Sequence, residues 1–126
     1  MKVILLEDNP INSEFVQTLL RMEGHDIIPY SEGDALLAAL HTNDETFPYD
    51  VALIDLMLPG TLSGQDVMHR LQQQYPTRHL PFVVLSAASP QELDRVRADF
   101  PQTPMLRKPF KRQQLLDAIE VAASRA

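Results

Sequence analysis

The chain has 126 residues, 44% of them apolar and 22% charged, which fits one compact domain that buries about two-thirds of its unfolded surface without a staple. Its 17 acidic residues against 11 Lys and Arg give a net charge of −6, which disfavours contact with a phosphate backbone, so no direct nucleic-acid partner is expected. The absence of cysteine excludes a disulfide framework, a thiolate zinc site and a thiol nucleophile, and fits a reducing, cytoplasmic location. No apolar run reaches the ~18 residues of a membrane span. The apolar start stops at Glu7-Asp8, short of the ~7–15 residues of a secretory core.

Val3–Leu6 reads as a strand buried on both faces. Asn9-Pro10 opens a helix, since proline's missing N–H costs nothing in the first turn. Ile11, Phe15, Leu19 and Met22, widened by Val16 and Leu20, predict its core stripe, and Gly24 ends it. Asp26–Tyr30 is a second strand that Pro29 assigns to an edge. Gly33–Leu40 is a short helix, followed by a polar loop through Pro48. Val51–Leu58 is the most apolar run and the expected central strand, halted by Pro59-Gly60. Gln65–Tyr75 is the third helix, with Val67, Met68 and Leu71 on one face, and Phe82–Leu85 is the fourth strand. Ser89-Pro90-Gln91-Glu92 is a capping box that starts a helix ending near Phe100-Pro101. Pro104–Arg107 is a short fifth strand, and Leu115, Leu116, Ile119, Ala122 and Ala123 mark a last helix beginning beyond Phe110. Strict alternation of five strands with five helices predicts an α/β fold: a doubly wound, five-stranded parallel sheet covered on both faces, the flavodoxin-like three-layer sandwich.

The informative polar residues sit at the ends of apolar runs. Glu7-Asp8 follow the first strand, Asp55 stands within the third, Ser86 follows the fourth and Lys108 follows the fifth. In a doubly wound sheet these carboxyl ends share the crevice where ligands bind. A charge within Ile54-Asp55-Leu56 is costly unless paired or metal-bound. Clustered carboxylates call for a hard divalent cation such as Mg²⁺, while Lys108 and the Ser86 hydroxyl suit the oxygens of a phosphoryl group. The set reads as a phosphoryl-transfer site with a carboxylate nucleophile.

The residues Glu7-Asp8, Asp55-Leu56-Met57-Leu58-Pro59, Ser86-Ala87 and Lys108-Pro109-Phe110, in that order at four strand ends, resemble the response-regulator receiver domain, the CheY-like phosphoacceptor of two-component phosphorelay signalling. The resemblance covers essentially the whole chain, so residues 1–126 are expected to form one receiver domain. The string Asp8-Asn9-Pro10-Ile11-Asn12 is also similar to receivers attached to hybrid sensor kinases. The resemblance implies that Asp55 accepts a phosphoryl group from a histidine kinase or histidine phosphotransfer protein. It implies direct Mg²⁺ ligation by Asp8, Asp55 and the backbone carbonyl of Met57, with Glu7 acting through a bound water. Lys108 would pair with Asp55 before transfer and with the phosphoryl group after it, aimed inward by a cis Lys108-Pro109 bond. Ser86 would turn toward a phosphoryl oxygen, small Ala87 leaving access, and so reshape the face of the fourth helix, fifth strand and fifth helix for a downstream protein. The edge of the last helix is a candidate surface for a phosphorylation-dependent homodimer. Such a domain is a signalling switch that catalyses its own phosphorylation and dephosphorylation, not a metabolic enzyme.

Three positions depart from the family pattern. Met105 stands where an aromatic residue is usual, so an aromatic rotamer switch cannot operate, and simple packing is its plainer role. The Pro59–Gly64 loop is one residue longer than the commonest spacing, and Glu7 replaces the commoner Asp. Rival readings fare worse. An aspartyl-phosphate phosphatase needs a second acid where Met57 stands, and a flavodoxin-like carrier would not place Glu7-Asp8 in its phosphate loop. A receiver-like interaction module that is never phosphorylated is the remaining alternative. His25, His41, His69 and His79 lie on helix ends or loops at no ligand spacing, and Arg107, Lys108, Lys111 and Arg112 read as a partner face plus the active lysine.

Overall fold

The computed structural model describes residues 1–40, 49–56, 58, 62–74, 80–87 and 89–124. Ten elements alternate in chain order. They are β1 (Lys2–Leu6), α1 (Pro10–Met22), β2 (Asp26–Tyr30), α2 (Gly33–Leu40), β3 (Val51–Asp55), α3 (Gly64–Gln74), β4 (Phe82–Ser86), α4 (Pro90–Asp99), β5 (Met105–Arg107) and α5 (Arg112–Ser124). The strands form one parallel sheet in the order β2-β1-β3-β4-β5, as the alternation predicts.

Two apolar cores explain why the central strands are continuous hydrophobic runs. Ile4 and Leu6, Ala52 and Ile54, and Phe82 and Val84 point into a core closed by residues of α2, α3 and α4, among them Leu36, Met68, Leu71 and Val96. Their neighbours Val3 and Leu5, Val51 and Leu53, and Val83 and Leu85 point into a second core closed by Val16, Leu19 and Leu20 of α1 and Leu115 and Ile119 of α5. Alternate residues therefore face opposite layers, and the same rule governs the polar residues that follow each strand.

The helix starts are chemically specified. Asn9 Oδ1 accepts the N–H groups of Ile11 and Asn12 at 2.9 and 3.0 Å. Ser89 Oγ accepts the Glu92 N–H at 3.4 Å, with Pro90 next in the chain, which is the N-cap half of the expected capping box. At α3, Ser63 and Asp66 cap each other: the Ser63 N–H donates to Asp66 Oδ2 at 3.0 Å and the Asp66 N–H to Ser63 Oγ at 3.2 Å. That pair starts the helix one residue before the expected Gln65.

Two expectations need correction. The predicted core stripe of α1 is rotated. Ile11, Phe15 and Met22 are 78%, 52% and 74% exposed, while Ser13, Val16, Leu19 and Leu20 are buried. Apolar residues cover more than one face of this helix, and the buried face includes a serine that apolar spacing overlooks. The third strand ends at Asp55 rather than at Leu58, with Leu56 buried just beyond it. Asp55 is thus a terminal residue of the strand. The polar loop at 41–48, His41, His79, Met57 and the Pro59-Gly60-Thr61 part of the longer loop lie outside the described residues.

Candidate functional site

The site follows from register. β1 and β3 are neighbours with Val3 opposite Val51 and Leu5 opposite Leu53. Two residues further on, the same alignment brings Glu7 beside Asp55 on the α1/α5 side of the sheet. Glu7 is held there because its N–H still donates to the Tyr30 carbonyl of β2 at 3.0 Å. Leu106 faces this same layer, and Lys108 follows it by two. The Lys108 N–H donates to the Ser86 carbonyl at 2.9 Å, and the Lys108-Pro109 bond is cis, as expected.

Glu7 and Asp55 are each only 3% exposed. Two buried carboxylates need a partner, and Lys108 supplies it. Its Nζ donates to Glu7 Oε1 and Oε2 at 2.9 and 2.8 Å and to Asp55 Oδ2 at 3.2 Å. The expected pairing with Asp55 is therefore present but shared, and the shorter bonds go to Glu7. Burial works against the charge on Lys108. The Glu7 hydrogen bond and the negative charges of Asp55 and Glu7 outweigh it and hold the ammonium above the ordinary lysine range. Its charge is fully present at neutral pH and is lost only as pH rises through that raised value.

Asp8 completes the cluster from the exposed side. Glu7, Asp8 and Asp55 each place a carboxylate oxygen within 4.8 Å of the others. Three carboxylates against one ammonium leave an excess of negative charge, and all the donors are hard oxygens. That donor set fits Mg²⁺, which binds through one or two carboxylates and keeps several waters for exchange with phosphoryl oxygens. No other group of three metal-binding side chains occurs among the described residues.

Ser86 is fully buried and continues the row of Phe82 and Val84, so it ends its strand on the other side of the sheet from Glu7 and Asp55. Ala87 beside it is exposed. Met105, opposite Val84, is half-buried and packs against the core on the Ser86 side.

The sequence pattern assigns Asn12 no role in the site. Its Nδ2 donates to Glu7 Oε1 at 3.3 Å, which links the start of α1 to the carboxylate cluster. Its place after the Asn9 cap was the available signal. His69 sits within α3, not at a helix end. Its ring meets Asp99 Oδ2 at 3.1 Å and lies 4.9 Å from the Phe100 ring, so it braces α3 against the end of α4. No helix among the described residues is long and apolar enough to cross a membrane.

Known proteins share both the sequence pattern and the fold. A family model described as the response regulator receiver domain matches residues 3–120. The sensor histidine kinase GacS of Pseudomonas protegens is 29% identical over 121 residues, covering 94% of this chain and 13% of that protein. The transcriptional regulatory protein CpxR of Escherichia coli is 30% identical over 126 residues, covering 99% of this chain and 50% of that protein. The chain thus spans half or less of the length of these relatives. The receiver domain of a sensor histidine kinase from Pseudomonas aeruginosa, solved with a magnesium ion coordinated in its active site cleft, superposes with a TM-score of 0.82 at 25% identity, covering 98% of this chain and 97% of that one. With the family pattern matched along nearly its whole length and the same fold beneath it, the chain belongs to the response regulator receiver domain family.

Proposed function

We propose that this receiver domain accepts a phosphoryl group on Asp55 from a phosphohistidine of a kinase or phosphotransfer protein. The observation that supports it most directly is the convergence of Glu7, Asp55 and Lys108 in one hydrogen-bonded cluster, with Asp8 alongside. An Asp55 carboxylate oxygen forms the new bond to phosphorus as the donor's P–N bond breaks, and the departing imidazole keeps the electron pair and takes up a proton. Lys108, already charged and inside the pocket, moves its hydrogen bonds from the carboxylates to the phosphoryl oxygens. Asp8, Asp55 and the Met57 carbonyl would hold Mg²⁺, with Glu7 reaching it through water. When bound, the ion neutralises the clustered negative charge. Ser86, which ends β4 on the other side of the sheet from Asp55, would have to turn across the strand end to engage a phosphoryl oxygen. Water later hydrolyses the acyl phosphate and resets the domain.

On this reading residues 1–126 act as one cytoplasmic signalling domain, a switch rather than a metabolic enzyme. The phosphorylated form presents the α4-β5-α5 face to a downstream protein or to a second copy. The half-buried packing of Met105 favours an output driven by backbone and side-chain repacking at β5 over one driven by an aromatic rotamer.

Intact mass after incubation with Mg²⁺ and acetyl phosphate tests the reading, with a phosphorylated histidine phosphotransfer protein as a second donor. The expected result is one added phosphoryl group on the native chain and none on Asp55→Asn. A native yield from Asp55→Asn would overturn the assignment of the acceptor. No addition from either donor, with Mg²⁺ binding intact, would establish the interaction module instead.

A further inference from the structure

Gly64 opens α3 against the last residue of β3. Its N–H donates to the Leu56 carbonyl at 3.2 Å. A Cβ built on Gly64 would overlap the Asp55 carbonyl oxygen and stand 2.8 Å from both the Asp55 carbonyl carbon and Leu56 Cα. These obstacles are backbone atoms, which cannot swing aside as the end of a side chain can. Nor is α3 free to retreat. Its first turn is fixed by the Ser63–Asp66 pair, and Val67, Met68 and Leu71 are buried in the core beneath the sheet. A side chain at position 64 therefore displaces the peptide that carries Asp55.

We infer that Gly64 is a positioning residue for the metal and phosphoryl site: the missing side chain lets α3 clamp the Asp55–Leu56 peptide so that the Asp55 carboxylate meets Glu7, Asp8 and Lys108. The inference rests on the phosphoacceptor reading and deepens it, because it makes Mg²⁺ affinity depend on a residue that has no ligand atom of its own.

The fold contains an internal control. Gly33, at the start of α2, is also tightly packed, and a Cβ there meets Val67 Cγ2 at 2.6 Å. That obstacle is a side chain, not the backbone that carries Asp55. Both substitutions press on α3, since Val67 lies on that helix, but the Val67 side chain can turn aside, and only the change at 64 meets the peptide that carries Asp55 directly.

The test is Mg²⁺ binding by calorimetry for the native chain, Gly64→Ala and Gly33→Ala, at a temperature where circular dichroism shows all three folded. Gly64→Ala is expected to weaken Mg²⁺ by about 10–100-fold, with Gly33→Ala within about twofold of native despite its lower melting temperature. Native affinity in folded Gly64→Ala, or equal losses in both variants, overturns the positioning role and leaves the phosphoacceptor reading standing. If Gly64→Ala does not fold, the native chain answers by ¹⁵N NMR. The Gly64 amide is expected to shift during Mg²⁺ titration with the same midpoint as Asp55 and Leu56, and a stationary Gly64 amide overturns the inference. A native chain that binds no Mg²⁺ removes the phosphoacceptor reading and the positioning role together.

Discussion

β1 and β3 lie side by side in the sheet, and every residue from Val3 to Leu6 and from Val51 to Asp55 is buried. β5 is a three-residue edge strand whose Met105 and Leu106 are half-buried and whose Arg107 is exposed, and among the described residues it pairs only with β4. Glu7 and Asp55 therefore come from the best-packed part of the molecule and the lysine from one of the least. The contrast suits a switch. On the proposed reading the acceptor must hold one geometry, whereas the group that reports its modification must be able to change partners.

The largest expected effect separates the two strands by function. Asp55→Asn abolishes phosphoryl uptake in the mass assay, while Lys108→Ala retains uptake and loses the response of the downstream partner. Equal loss of uptake in both variants would erase the distinction. Stability comes next. Leu53→Ala, in the buried strand, is expected to cost about 2–5 kcal/mol in urea unfolding, and Leu106→Ala clearly less, because less apolar surface is lost at a half-buried position. Matching losses would mean that the edge is as rigid as the centre.

Removing the lysine also leaves Glu7 and Asp55 buried with their shared cation gone. In the absence of divalent cation, Lys108→Ala is expected to lose about 2 kcal/mol, less than a fully buried pair would, because Lys108 is 20% exposed. Added Mg²⁺ should restore part of that stability in a thermal melt, and a variant unmoved by Mg²⁺ would deny that the ion and the lysine relieve the same repulsion. The smallest effect lies outside both strands. Backbone and side-chain hydrogen bonds from Ser63 hold the Asp66 carboxyl below the ordinary range. A carboxyl lowered in the folded state stabilises it above the unfolded pKa of about 3.9 and loses that contribution as pH falls through the folded value. Asp66→Asn should therefore flatten a shallow loss of stability below about pH 4, measured by acid titration. The group is at the surface, so the change is small and shrinks further in salt.

The strands were legible because burial on both faces demands uninterrupted apolar residues, and Val51–Ile54 has no other plausible home. The site was legible for the opposite reason: Glu7, Asp55 and Lys108 each interrupt or follow such a run, where a charge is expensive without a purpose. What stayed hidden depended on three-dimensional register. Ile11, Phe15 and Met22 have helical spacing as good as that of the buried set, and only the docked sheet decides which face turns inward. The shared bond from Lys108 to Glu7 needs the Leu5–Leu53 alignment, and the closeness of Gly64 to Asp55 needs the return of the chain after the loop. The Ser63–Asp66 cap was readable from spacing alone but was overshadowed by the apolar residues that follow it.

Pro29 lies on the outer strand β2, where Asp26 and Tyr30 make their backbone bonds inward to Met1 and Glu7. By alternation the nitrogen of Pro29 faces outward, at a position where any other residue would offer a free donor to a passing strand. The opposite border of the sheet, β5, is too short to template much. With one donor missing from the β2 flank and β5 so short, both borders are poor templates for a second sheet, which disfavours stacking edge to edge. Replacing Pro29 would reopen that flank, and its cost would appear as aggregation during expression rather than as lost signalling.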